Sequence, residues 1–224
     1  MRIARAVILS LGLALLSTAP AAAQRCRAPA QAPQITIEAA PGTLSFDHRL
    51  DDQALKKLVH KLERNMHLTQ GQPMGLTTGP VSARYRTRVQ IRKRQHGGFC
   101  VWPVVVKVTV GFETLTVYLD RKYQKGSCEY EAILAHEMEH VRRNRSAVTR
   151  YLPQLRRQVA QLLRAKPAMQ VLGVERQARD AYLLYIKRRL GPSLRAIAAA
   201  RDRGNDAIDT PESYRTIADK CGNW

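Results

Sequence analysis

Residues 83–120 read ARYRTRVQIRKRQHGGFCVWPVVVKVTVGFETLTVYLD, and the period of this stretch decides the fold class. Arg84, Arg86, Arg88, Arg92 and Arg94 alternate with Tyr85, Thr87, Val89, Ile91 and Lys93. Successive side chains of a strand point to opposite faces, so this is a strand with a basic face and a mostly apolar one. Gly97-Gly98 turns the chain, and Phe99 to Val110 forms a second strand with Val104, Val106, Val108 and Val110 on one side. After Gly111, Thr114 to Asp120 sets Leu115, Val117 and Leu119 between polar neighbours, which predicts a third strand. Short turns between the three imply a small antiparallel sheet of about three to four strands.

On either side of this block the pattern differs. Asp51-Asp52 open a helix in which Leu55, Leu58, Val59, Leu62 and Met66 recur at helical spacing. Residues 24–46 carry Pro29, Pro33 and Pro41 and read as an extended leader with one short strand-like piece, Gln34 to Glu38. From Ser127 onward everything is helical in period, with Ser127 as N-cap and Glu129 and Glu131 favourable to the helix dipole. Breaks near Pro153, Pro167, Gly191-Pro192 and Gly204-Asn205 divide this half into about five helices, the last opened by Thr210-Pro211-Glu212. The expected class is α+β. One domain over 47–224 carries the sheet and a central helix at about 80–150 and a helical half at about 151–224.

Composition limits the function classes. With 45% hydrophobic and 25% charged residues, disordered, collagen-like and low-complexity architectures are excluded. The apolar run Ala6 to Leu16 is too short for a membrane span, which takes about 20 residues. Behind Arg2 and Arg5, and ahead of Ala21-Ala22-Ala23, it reads as a signal peptide over 1–23 cleaved before Gln24. The expectation is an exported protein, periplasmic or secreted, with no transmembrane segment after cleavage. Cys26, Cys100, Cys128 and Cys221 then fall in a disulfide-permissive compartment. Two disulfides are expected, with Cys100–Cys128 and Cys26–Cys221 favoured among the three possible connectivities.

His136-Glu137-Met138-Glu139-His140 carries the chemistry. Histidines at i and i+4 of a helix point the same way and can hold one zinc ion, and the glutamate after the first lies beside the metal as a general base. Zinc acidifies bound water for attack on a peptide carbonyl. Six His and nine Glu in 224 residues give roughly 0.006 chance occurrences of this pattern. Ile133, His136, Glu137, His140 and Asn144 share one helix face, while Leu134, Met138 and Val141 form a second apolar stripe. A helix apolar on two sides is internal, where two histidines and a glutamate are costly unless they bind something.

Val104 to Asp120 followed by Tyr130-x-x-Ile133-x-x-His136-Glu137-x-x-His140 resembles the zincin metallopeptidases, more narrowly the predicted secreted zinc-dependent proteases of bacteria. The resemblance covers residues 80–145. It implies a peptide or protein substrate bound along a sheet edge, with Phe99–Val110 or Thr114–Asp120 as the candidate strand. It also implies a third zinc ligand. Arg143 and Ser146 stand where the HExxHxxGxxH extension needs Gly and His, so a carboxylate from a later helix is the remaining option. Glu175 is the first candidate, on an inward stripe with Val171, Ala178, Tyr182 and Tyr185; its competing role is an ion pair with Arg179. Asp180, Asp202, Asp206, Asp209, Glu212 or water remain open. A transition-state stabiliser is also needed, and Tyr151, Tyr182 and Tyr185 are candidates.

The charge is a separate matter. Cleavage after Ala23 removes Arg2 and Arg5 and no acid, taking the net charge from +19 to +17. No zinc finger, helix-turn-helix or aromatic-basic platform accompanies it, which disfavours nucleic acid. The arginine face of 84–94 points to an anionic cell envelope, an acidic substrate or solubility alone. Three readings of the whole chain follow, the first two being an exported zinc endopeptidase with Glu137 as base and a non-peptidase zincin-fold envelope-binding or assembly protein with a structural or vestigial metal site. An accidental motif in a secreted basic protein is the third.

Overall fold

A computed structural model describes residues 26–62 and 73–222, so the expected signal segment and Met66 lie outside the described residues. In chain order the elements are β1 (Gln34–Asp47), α1 (Asp52–Leu62), β2 (Gly75–Thr78), β3 (Ser82–Lys93), β4 (Phe99–Leu119), α2 (Cys128–Ala165), β5 (Met169–Val171), α3 (Glu175–Asp206) and α4 (Pro211–Ala218). The class is α+β, with a five-stranded sheet and a helical C-terminal half.

β4 organises the sheet. Two expected strands are one 21-residue strand, because pairing continues past Gly111. Val106, Val108 and Val110 face the core before that glycine, and Leu115, Val117 and Leu119 face it afterwards. The buried set therefore changes parity there, which imitates a strand break in the sequence. Gly111 holds φ +146 and a Cβ would lie 2.0 Å from Ala40 O, so the crossing with β1 requires glycine.

β1 runs parallel to β4, with Gln34 opposite Val105 and Asp47 opposite Tyr118. The sheet is thus mixed, and most of the expected leader is a 14-residue strand of the domain. β3 pairs antiparallel along the first half of β4, β2 along its last four residues, and β5 with Phe99 to Val101. A strand has only two edges, so β1 and β5 lie on one side of β4 and β3 and β2 on the other. Neither Phe99–Val110 nor Thr114–Asp120 is a free edge; among the described residues β2, like β1, β3 and β5, pairs with β4 alone.

The helices are longer than the proline positions imply. α2 continues through Pro153 because Val148, Leu155, Val159 and Leu163 carry one buried stripe across it. α3 continues through Gly191-Pro192 by the same device, with Ala178, Tyr182, Ile186, Leu190 and Ile197 all fully buried. Burying a Leu or Ile contributes about 2 kcal/mol. Several such residues offset the roughly 3 kcal/mol cost of an interior proline. Ser127 caps α2 by accepting from Tyr130 N, and Thr210 caps α4 by accepting from Ser213 N.

Two disulfides are present, and they are Cys26–Cys100 and Cys128–Cys221. The favoured connectivity was Cys100–Cys128 with Cys26–Cys221, and the parallel strand explains the difference. Because β1 enters opposite Val105, the chain before it runs back beside the head of β4, bringing Cys26 to Cys100. Two bridges place the chain in an oxidising environment. Among the described residues no helix is long and apolar enough to cross a membrane.

Candidate metal centre

α2 lies against the sheet with Tyr130, Ile133, Val141 and Val148 in the main core. The same face carries Glu137, His140 and Asn144, which are buried polar residues. Three ligand-type atoms converge beside it. His136 Nε2 and His140 Nε2 are 3.2 Å apart, and Asp209 Oδ1 lies 3.1 Å from the first and 3.0 Å from the second. Corner atoms of a tetrahedral zinc site, each about 2.0 Å from the ion, are about 3.3 Å from one another. The triangle therefore matches one face of such a site, and the residues present fit a metal ion.

The network behind the triangle supports the same conclusion. Asn205 Nδ2 donates to Asn144 Oδ1 at 3.0 Å, leaving Asn205 Oδ1 to face His140 Nδ1 at 3.2 Å. A carbonyl oxygen only accepts, so Nδ1 of His140 is the donor, and loss of the other ring proton would leave the Nε2 lone pair directed to the triangle. On the other side Tyr214 donates its hydroxyl to Asp209 Oδ1 at 3.1 Å, and its ring lies 5.5 Å from that of His136.

Glu137 belongs to the same cluster: its carboxylate and the two imidazoles have ligand atoms within 4.8 Å of one another. β2 covers it. Thr77 Oγ1 donates to Glu137 Oε2 at 2.7 Å, and a Cβ on Gly75 would meet Oε1 at 2.7 Å. Gly75 is thus the residue that lets β2 pass directly over the carboxylate. Burial raises the Glu137 pKa above the ordinary carboxylate value, partly opposed by His140 and the Thr77 hydrogen bond. Burial also pushes Asp209 up, but its hydrogen bonds to both histidines prevail and hold it well below the usual range. For His140, burial pulls the pKa down while Asp209 and Glu137 raise it, with a net rise to about 9 in the metal-free protein.

Glu175 is not part of this centre. It stands at the first residue of α3, exposed and paired with Arg179, whereas Asp209 follows the last. A 32-residue helix is about 48 Å long, so its two ends serve different regions of the molecule. The ion pair with Arg179, the competing role for Glu175, is the one realised. Asp180 shares that end. Tyr182 is a core residue donating to Lys166 O, and Tyr185 reaches Leu162 O, so neither adjoins the histidines; Tyr214 does. Gly75, Thr77, Asn205 and Tyr214 carried no motif. The available signal was the set of polar residues Asn205, Asp206, Asp209 and Thr210 at a helix end, beside the Thr210-Pro211 start of the next.

No protein-family model, curated protein or solved structure matches the chain.

Proposed function

We propose that this chain is an exported zinc-dependent endopeptidase, acting in the periplasm or outside the cell. The observation that carries the reading is the Nε2–Nε2–Oδ1 triangle of His136, His140 and Asp209 with the Glu137 carboxylate beside it. Zinc bound there supplies Lewis acidity toward a peptide carbonyl and toward water. Everything else falls to the chain itself. Glu137, with its pKa raised by burial, takes the proton of the attacking water and returns it to the departing amine. Asn205 and Asn144 hold the His140 tautomer, and Tyr214 orients Asp209. Among the described residues the outer edge of β2 pairs with no strand, so an extended peptide added there passes over Glu137.

A structural metal site in a non-peptidase envelope or assembly protein is the second reading. It is favoured by one fact: Glu137 is only 4% exposed beneath β2. Glu137→Gln separates the two, because an amide keeps the shape and accepts no proton at neutral pH. In the peptidase reading the variant keeps its zinc and its thermal transition and loses at least about a hundredfold in hydrolysis of a denatured protein or peptide library. Zinc-loaded wild type that cleaves nothing leaves the structural reading standing.

A further inference from the structure

The face of the sheet turned away from α2 and α3 carries charge that the metal centre does not use. Arg84, Arg86, Arg88 and Arg92 are all exposed, while their alternates Ala83, Tyr85, Val89 and Ile91 pack into the core. The register sets Arg84 opposite Thr109 and Arg86 opposite Lys107. Between these four residues lies a concavity of about 260 Å³. A water molecule occupies about 30 Å³, so a phosphate group fits with several waters of its own.

Like charges directly opposite across a strand pair are destabilising. A surface selected only for solubility has no reason to set Arg86 against Lys107. Two cations of the face have acidic neighbours: Lys107 reaches Glu38 at 2.7 Å, and Arg84 lies 3.9 Å from Glu113. The side chains of Arg86 and Arg88 have no hydrogen-bond or ion-pair partner among the described residues. The register shift between Arg88 and Val89 leaves the row in phase on its strand, and Arg92 continues it stacked 5.6 Å over Trp102. From Arg84 to Arg92 the row spans about 27 Å.

We propose that this face docks on an anionic phospholipid bilayer, with Arg84, Arg86 and Lys107 seating a headgroup phosphate and Arg88 and Arg92 extending the contact. Guanidinium groups fit phosphate oxygens in bidentate geometry. Nucleic acid suits the face less well. Trp102 is only 8% exposed beneath Gln90 and Arg92, which leaves no platform on which bases stack. α2, α3 and the His136 site lie on the other side of the sheet, so docking leaves them free. The proposal is independent of any peptidase activity.

The test is co-sedimentation of the mature protein with phosphatidylcholine vesicles, with and without phosphatidylglycerol. Each cation at an anionic surface contributes about fivefold in partitioning. Wild type should bind only the phosphatidylglycerol vesicles, and less with added salt. The triple variant Arg84→Ser, Arg86→Ser, Arg88→Ser should bind about a hundredfold more weakly, with its thermal transition not lowered. A control removing the same charge from α2 (Arg156→Ser, Arg157→Ser, Arg164→Ser) should bind nearly as wild type. Equal weakening in the two triple variants, or no dependence on phosphatidylglycerol, overturns the proposal. Tighter binding to a single-stranded oligonucleotide than to the vesicles overturns it as well.

Discussion

His136 and His140 stand one turn apart on a 38-residue helix with a buried stripe along its length, whereas Asp209 reaches them from the link between α3 and α4. The helix half of the centre is placed by the main core, through Tyr130, Ile133, Val141 and Val148. The loop half is placed by much less. α4 has eight residues, and a helix that short is not stable alone. A separate small cluster of Ala132, Ile217 and Cys221, with Met74 and Tyr214 against it, is what seats it. The Cys128–Cys221 bridge then ties the end of this segment to the first residue of α2. One half of the centre is a product of secondary structure, and the other is a product of closure.

The two halves differ most in what a carboxylate substitution should do. Asp209→Asn removes a charged corner of the triangle and should weaken zinc binding at least about a hundredfold, with α2 and the main core intact. Glu175→Gln, at the far end of α3, should leave zinc affinity unchanged and cost less than about 1 kcal/mol of stability. Competition with a chromophoric chelator measures both affinities. Reversal of the two results would return the third position to Glu175.

A smaller effect is expected at the bridges. Cys128→Ser with Cys221→Ser frees α4 and should weaken zinc binding about tenfold by letting Asp209 move. Cys26→Ser with Cys100→Ser should lower the thermal transition and leave zinc affinity alone, since that bridge ties the segment ahead of β1 to the head of β4 and touches no residue of the centre. Zinc affinity that is equally insensitive in both pairs would mean the small cluster suffices to hold the loop.

The same division explains what was legible in the sequence. His136, Glu137 and His140 are a local pattern on one helix face, and local periodicity is what a sequence displays. The strand period of 83–94 was legible for that reason, and so were the caps at Ser127 and Thr210. Asp209, Asn205 and Tyr214 reach the histidines from 60 to 80 residues away in the chain, through a helix whose length was underestimated at Gly191-Pro192. Once α3 is read as broken, Glu175 becomes as plausible a neighbour as Asp209. The parallel pairing of β1 was equally non-local, and the wrong disulfide connectivity followed from it.

The smallest effect expected is a dependence on pH that belongs to both halves at once. In the metal-free protein His140 is held charged by Asp209, with its pKa raised from 6.5 to about 9, while Asp209 is depressed below its ordinary 3.8. A raised folded-state pKa contributes stability that is complete below about 6.5 and is lost as pH rises toward 9. A depressed carboxylate contributes stability that is complete above about 4 and is lost as pH falls through the lowered value. The metal-free protein should therefore be most stable between pH 4 and 6.5, and its thermal midpoint should fall by about 5 °C between pH 6.5 and 9. Asp209→Asn removes the partner and should flatten that fall. Zinc requires the neutral imidazole, so over the same range its affinity should rise with pH and the zinc-bound midpoint should not fall. A metal-free midpoint that falls as much in Asp209→Asn as in wild type would show that the loop half does not hold the helix half in the absence of metal.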